Sequence, residues 1–111
     1  MSKSMIKDAA IEWEDLGGGV HRKVMAYNDD IMLVKVAFKS GGVGALHHHP
    51  HIQVSYVESG VFKLKIGEEV SILHAGDAFL VSKNIIHGAE CLESGVLIDV
   101  FNPCREDFIK N

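Results

Sequence analysis

The chain has 111 residues, 47% of them hydrophobic, and a net charge of −4. This length predicts one domain, residues 1–111, with enough apolar side chains for a core. Eleven basic residues against 15 acidic ones, without a basic stripe, argue against nucleic acid as a partner. No apolar run is long enough to cross a bilayer, and the first ten residues lack the apolar core of a signal peptide. We therefore expect a cytoplasmic protein with no membrane partner.

Short apolar runs between glycine-rich and polar turns predict an all-β chain. The predicted strands cover residues 20–27, 31–39, 47–49, 53–57, 61–66, 70–73, 78–81, 87–91 and 95–101. Pro50 ends the third strand, because proline cannot donate to a ladder. Residues 58–60 predict a hairpin turn between the fourth and fifth strands, and residues 105–110 a short helix or tail. Metal-type side chains on successive strands suit a cavity inside a barrel.

Histidines are concentrated around residue 49, with four of them within five residues at His47, His48, His49 and His51. On a strand, residues i and i+2 face the same side, so His47 and His49 converge. Gln53 on the next strand and His87 on a third strand are candidates for the remaining ligands. Three imidazole nitrogens and one amide oxygen suit a divalent Ni, Zn, Fe, Mn or Co ion, and softness does not choose among these metals.

Two histidines of the run fall outside this ligand set. His48 is out of phase with its neighbours and is predicted to be structural. His51, in the turn, is a candidate for substrate binding. The alternative for the whole run is a solvated loop that picks up metal adventitiously.

A carboxylate interrupts the apolar run over residues 96–101. Strand parity places Asp99 on the same face as Leu97 and Phe101. A buried carboxylate in such a run needs a reason to exist, so Asp99 is a candidate catalytic acid–base group and Phe101 a candidate apolar wall for the substrate. The alternative is that Asp99 is a structural carboxylate or points to solvent.

Arg105 follows closely and is a candidate for both substrate binding and catalysis. Its guanidinium group could clamp a substrate carboxylate in a bidentate fork. The alternative is a surface ion pair with Glu106 or Asp107, which are its neighbours in the sequence.

Two spaced motifs make the chain resemble the cupin superfamily. The first is Gly41, five residues, His47, one residue, His49, three residues, Gln53, six residues and Gly60, with glutamine where most cupins have glutamate. In the second motif Gly76 and His87 match, while Ser82, Asn84 and Cys91 replace the usual proline, glycine and asparagine. The resemblance implies a single jelly-roll β-barrel with one bound divalent transition metal.

The flanks are similar to the small pectin-degradation (KdgF-type) cupins. Residues 13–20, Arg22, Lys23 and residues 99–108 resemble the beginning and the end of those proteins, in which glutamine is also a typical third metal ligand. This resemblance implies an enzyme of uronate catabolism. Its substrate would be a small anionic sugar, an unsaturated monouronate, converted to its linear keto form.

Two other functions stay open. One is an iron-dependent cupin dioxygenase, and the other is a noncatalytic cupin that binds metal or sugar. Apolar residues occur on both faces of residues 31–36 and 96–101, more than one small barrel interior needs, which predicts a homodimer formed through the sheets.

Overall fold

The computed structural model describes residues 4–109, and among them the backbone forms eight β-strands and two 3₁₀ turns but no α-helix. The strands are β1 (Glu14–Gly17), β2 (Val20–Tyr27), β3 (Met32–Phe38), β4 (Val43–His47), β5 (Ile52–Ile66), β6 (Glu69–His74), β7 (Ala78–Val81) and β8 (His87–Asn102). The all-β prediction is confirmed. The strands form a jelly-roll arrangement whose sheet does not close into a continuous ring.

The long strands β5 and β8 pair with each other through most of their length and divide the fold into two halves. In the first half, the beginning of β5 and the end of β8 join β1, β2, β3 and β7. In the second half, the end of β5 and the beginning of β8 join β6 and β4. All of these pairings are antiparallel. The halves meet across the core, where Phe38 of the first contacts Phe62 of the second edge to face, with 5.2 Å between ring centroids.

The hairpin predicted at residues 58–60 is wrong, because β5 continues through it, and β8 likewise joins two predicted strands. Both strands pass from one half to the other at Gly60 and Gly95. Gly60 has φ +84, and a Cβ there would lie 2.5 Å from the carbonyl oxygen of Glu93, while a Cβ on Gly95 would overlap the carbonyl oxygen of Ser59. Only glycine permits this close approach. Gly60 therefore marks the point where β5 crosses between the halves, and it is not part of the hairpin turn that the sequence predicts there.

The strand predicted over residues 47–49 is also placed incorrectly. The ladder between β4 and β8 ends at the pair His47–His87, so His49 lies beyond it. Strand parity therefore does not bring His47 and His49 together. The chain after β4 turns towards β5, and the backbone N–H of Asn84 fixes this segment by donating to the carbonyl of His49. Asn84 has φ +61, a left-handed conformation that asparagine adopts more readily than most residues.

The C-terminal segment contains a 3₁₀ turn at Glu106–Phe108, where a short helix or tail is predicted. Lys110, the last residue of that prediction, lies outside the described residues. The segment packs Phe108 and Ile109 against an apolar cluster of Met32, Val34, Phe101 and Cys104. A second cluster, centred on Phe62, fills the space between the two halves.

The outer face of the first half carries apolar side chains in register across four strands. Leu33 of β3 is paired with Val100 of β8, which is paired with Val54 of β5, which is paired with Leu80 of β7. Val54 and Leu80 are 49% and 58% exposed. The predicted homodimer through this face stays a prediction. No helix among the described residues is long and apolar enough to span a membrane.

Candidate metal centre and cavity

Three imidazoles meet where β4, the loop after it and the start of β8 come together. The candidate ligand atoms of His47, His49 and His87 all lie within 4.8 Å of one another. The ring centroids of His47 and His87 are 4.3 Å apart, and those of His49 and His87 are 4.8 Å apart. His49 and His87 are buried, whereas His47 is exposed. The structure therefore brings together all three histidines that the sequence selects as ligands.

Each of the three imidazoles uses Nδ1 to donate to a backbone carbonyl. His47 donates to Ala45 over 2.8 Å, His87 to Ile85 over 2.9 Å and His49 to His51 over 3.1 Å. Because a carbonyl only accepts, these bonds place the proton on Nδ1 and leave Nε2 with a free lone pair. Nε2 of His87 is buried and has no hydrogen-bond partner among the described residues. Three fixed lone pairs of this kind suit a metal ion.

Gln53, at the start of β5, completes the donor set. Its Oε1 lies 3.2 Å from Nε2 of His49. Both atoms carry lone pairs once the His49 proton is on Nδ1, so neither can donate to the other. A cation shared by the two atoms removes this conflict. The unpaired Nε2 of His87 and the two facing acceptors, Nε2 of His49 and Oε1 of Gln53, show that these residues fit a divalent transition metal. The donor types do not identify the metal.

A hydrogen-bonded chain holds the Gln53 amide in this orientation. Its Nε2 donates to Oγ of Ser55 over 3.0 Å, and that hydroxyl donates to Oδ1 of Asp99 over 2.6 Å. Ser55 is paired with Asp99 across the β5–β8 ladder. All three side chains are buried. The amide nitrogen is thus directed towards Ser55 and the amide oxygen towards the imidazoles, as a metal ligand requires.

Burial sets the protonation of the titratable groups around this centre. It raises the pKa of Asp99 to about 6, although the hydrogen bond from Ser55 and the charge of Arg105 act in the opposite direction. It lowers the pKa of His87 to about 4, and it also lowers the pKa of His49, with a further contribution from Arg105. The two buried imidazoles are therefore neutral near pH 7, the form in which they bind metal. Asp99 has a pKa suited to exchanging protons near neutrality.

A cavity of about 180 Å³ lies beside the imidazoles, between the two halves of the fold. Its polar wall contains both candidate ligands and candidate catalytic groups, namely His47, Gln53, His87, Asp99 and Arg105, with the ring of Phe101 beside them. Its other walls are apolar core side chains, including Phe38, Leu64 and Leu97. Asp99, Leu97 and Phe101 share one buried face of β8, which confirms the parity prediction.

Arg105 makes the ion pair that the sequence offered as an alternative and also borders the cavity. Its guanidinium makes a bidentate ion pair with Asp107, at 3.1 and 2.9 Å. The same group lines the cavity, and its Cζ lies 5.2 Å from the centre of the Phe101 ring. The exposed Asp107 therefore holds in place a guanidinium that still borders the cavity.

His51 lies beside the candidate metal centre without forming part of the cavity wall. Its Nε2 donates to the carbonyl of Cys104 over 3.2 Å, which leaves Nδ1 as a buried atom without a partner. Its ring centroid is 5.5 Å from that of His49. His51 has the opposite tautomer to the three candidate ligands and fastens the C-terminal segment to the site. Its predicted contact with substrate stays a prediction.

Sequence reasoning missed three residues of this region. Ser55 lies two residues after Gln53, so the alternation of β5 was a signal that it shares the same buried face. Arg22 of β2 and Phe108 of the C-terminal segment both line the cavity. No spacing in the sequence connects these two residues with the histidines.

Comparison with known proteins places this architecture in a family. The family model described as Cupin domain matches residues 34–101, which is more than half of the chain. The chain therefore belongs to the cupin superfamily and is a KdgF-like member of it.

Individual relatives cover nearly the whole chain. The pectin degradation protein KdgF of Dickeya dadantii (strain 3937) is 45% identical over 104 residues, which cover 92% of this chain and 94% of that protein. The solved structure of KdgF from Halomonas sp. is 37% identical with a TM-score of 0.92, covering 96% of this chain and all of that one. An RmlC-like cupin from Shewanella frigidimarina NCIMB 400 is 42% identical with a TM-score of 0.95, covering 97% of each chain.

Proposed function

We propose that this protein is a metal-dependent enzyme of uronate catabolism that converts an unsaturated monouronate from pectin or alginate to its linear keto form. The observation that carries the proposal is the chain of hydrogen bonds from Gln53 through Ser55 to Asp99. It joins a candidate metal ligand to a buried acid–base group on the wall of one cavity. The name of the Dickeya dadantii relative, a pectin degradation protein, supports the choice of substrate.

The reaction is an isomerisation that needs one proton removed and one added. The unsaturated ring has a C4=C5 double bond next to the carboxylate, and C5 also bears the ring oxygen. Loss of the proton from the C1 hydroxyl breaks the bond between C1 and the ring oxygen and leaves an aldehyde at C1. Cleavage leaves the former ring oxygen as an enolate at C5, and addition of a proton at C4 then converts this enolate to a ketone. No other atoms are gained or lost.

Asp99 is the group we assign to these proton transfers. Its carboxyl faces the cavity, and with a pKa of about 6 it can act as both acceptor and donor near neutral pH. Ser55 donates to Oδ1, so the other carboxyl oxygen is the one available to substrate. Because Asp99 is 8% exposed, bulk water does not compete strongly for its proton.

The remaining site residues bind and orient the sugar. Arg105 offers a substrate carboxylate the guanidinium N–H groups that Asp107 does not engage, and Phe101 supplies an apolar surface beside it. A divalent cation held by His47, His49, Gln53 and His87 would supply Lewis-acid stabilisation of negative charge on a substrate oxygen. The hydrogen bonds at Nδ1 of each imidazole keep the ring orientations fixed for that purpose.

The test follows the ultraviolet absorbance of an unsaturated monouronate, which disappears as the conjugated double bond is lost. We expect added protein to accelerate the decay, chelation to remove the acceleration, and one equivalent of a suitable divalent metal to restore it. An unchanged decay rate with stoichiometric metal bound would overturn the proposal. Oxygen consumption coupled to the decay would favour a dioxygenase instead.

A further inference from the structure

The ring of Phe108 is held in a fixed position on the cavity wall. The Cζ atoms of Arg22 and Arg105 lie 4.0 and 4.2 Å from its centroid. Phe101 meets it edge to face, with centroids 5.6 Å apart. Each arginine is itself fixed by a carboxylate, Arg22 by Glu14 at 3.0 Å and Arg105 by Asp107 at 2.9 Å. Two cation–π contacts and one aromatic contact therefore immobilise Phe108.

The cavity is bounded by buried side chains on its inner side and by exposed or half-buried side chains at its rim. Its inner walls are buried side chains such as Val20, Phe38 and Leu97. Its rim carries the exposed His47, the 45% exposed Leu16 and the half-buried Phe108. The volume of about 180 Å³ is below the range of roughly 300–1,000 Å³ that is typical of sites for drug-sized ligands. A larger ligand would have to continue past the rim.

The chemistry of a uronate determines which part of the rim a second sugar would meet. In the pyranose ring, C5 carries the carboxylate and C1 carries the glycosidic bond, and both carbons are bonded to the ring oxygen. A second sugar attached at C1 therefore leaves the ring on the same edge as the carboxylate. On the proposed function, Arg105 holds that edge, and Phe108 lies directly against Arg105.

We infer that Phe108, fixed between Arg22 and Arg105, blocks the space for a sugar linked at C1 and so restricts this site to single uronate residues. Phe108 acts as a specificity-determining residue. Its effect suits the chemistry, because ring opening requires a free hydroxyl at C1, and a sugar with a neighbour at C1 would occupy the site without reacting. This inference rests on the proposed function.

The test compares binding of two ligands, an unsaturated monouronate and an unsaturated diuronate, by titration calorimetry on metal-loaded protein that carries Asp99→Asn throughout, so that the monouronate is not converted. We expect this protein with Phe108 intact, called wild type in this test, to bind the monouronate at least about tenfold more tightly than the diuronate. Phe108→Ala should reduce this ratio to below about threefold by gaining affinity for the diuronate. Phe108→Leu, which retains packing but loses the ring, should give an intermediate ratio if the alanine variant does not fold.

The matched control is Ile109→Ala. Ile109 is the next residue of the segment and packs against the same apolar cluster, but it is not on the wall of this cavity. It should keep the wild-type ratio. Equal binding of both ligands by wild type, or a wild-type ratio in folded Phe108 variants, would overturn the inference and leave the proposed function standing. Failure of wild type to bind either sugar would overturn both.

Discussion

The two halves of the long strands β5 and β8 are similarly buried and chemically different. In the first half, the inward side chains include Gln53, Ser55 and Asp99, which are 7%, 1% and 8% exposed. In the second half, Phe62 and Leu64 occupy such inward positions at 0% and 4%, and its buried polar side chain, His87, lies at the end that borders the cavity. Buried polar groups lower stability unless they are hydrogen-bonded. In the first half, hydrogen bonds from Gln53 to Ser55 and from Ser55 to Asp99 offset this loss. Since the second half shows that apolar residues suffice for packing, the polar composition of the first half indicates chemistry.

Asp99→Asn gives the largest expected effect on activity and should leave stability unchanged or higher. The amide still accepts a hydrogen bond from Ser55, but it cannot exchange a proton and carries no buried charge. We expect turnover of the unsaturated monouronate to fall by about 10²- to 10⁴-fold, with metal content and thermal midpoint maintained. Initial rates, metal analysis and a thermal melt on the same preparation measure this. Full activity in the variant would remove Asp99 from its acid–base role.

Phe62→Ala, in the second half of the strands, should lower stability and leave activity per folded molecule unchanged, the opposite of Asp99→Asn. Removing a fully buried ring leaves a cavity and should lower the free energy of unfolding by about 3–5 kcal/mol. The rate per folded molecule should stay near the wild-type value at low temperature, since Phe62 is not on the cavity wall. Urea unfolding and initial rates check both parts. Ile72→Ala, at a 52% exposed position of β6, is the control and should change stability by less than about 0.5 kcal/mol.

Ser55→Ala tests the link between the candidate metal ligands and the acid–base group. The change leaves the Gln53 amide without its acceptor and Asp99 without its donor, so we expect a loss of about 1–3 kcal/mol in stability. Metal affinity should fall by about 10- to 100-fold, as for other groups that orient a ligand. A competition titration with a chelator measures the affinity. Ser71→Ala, at an exposed position of β6, should change neither quantity, and equal metal affinity in both variants would contradict the orienting role.

Asp8→Asn should have the smallest effect on stability. Asp8 lies in the 3₁₀ turn before β1, outside both halves of the long strands. Hydrogen bonds from Lys35 and Lys23 lower the pKa of Asp8 below its usual 3.8. A carboxyl with a lowered pKa in the folded state stabilises the fold above its unfolded pKa and loses this contribution as pH falls through its folded pKa. We therefore expect the wild-type protein to have a slightly higher thermal midpoint than the variant near neutral pH, and this difference to decrease as the pH falls below the usual 3.8 and with added salt. A pH-independent difference would contradict this assignment.

The sequence by itself determined the all-β class, which depends on local periodicity, and the choice of His47, His49 and His87, which depends on ligand chemistry and on the cupin spacing. It also placed Asp99 on the same face of its strand as Leu97 and Phe101, since strand parity is a local property, and the structure showed that this face is buried. It failed at Gly60, where a glycine that looked like a hairpin turn is the point at which β5 crosses between halves. A local turn signal does not reveal that another strand passes within contact distance.

The tertiary structure alone decided how these residues act together. His49 reaches the candidate metal centre from a loop beyond β4, so its convergence with His47 depends on where the ladder ends. Ser55 connects Gln53 to Asp99 because β5 and β8 pair in one particular register. Phe108 and Arg22 lie 86 positions apart in sequence and meet only through the packing of the C-terminal segment. Such contacts depend on side-chain packing and strand register, which no single stretch of sequence encodes.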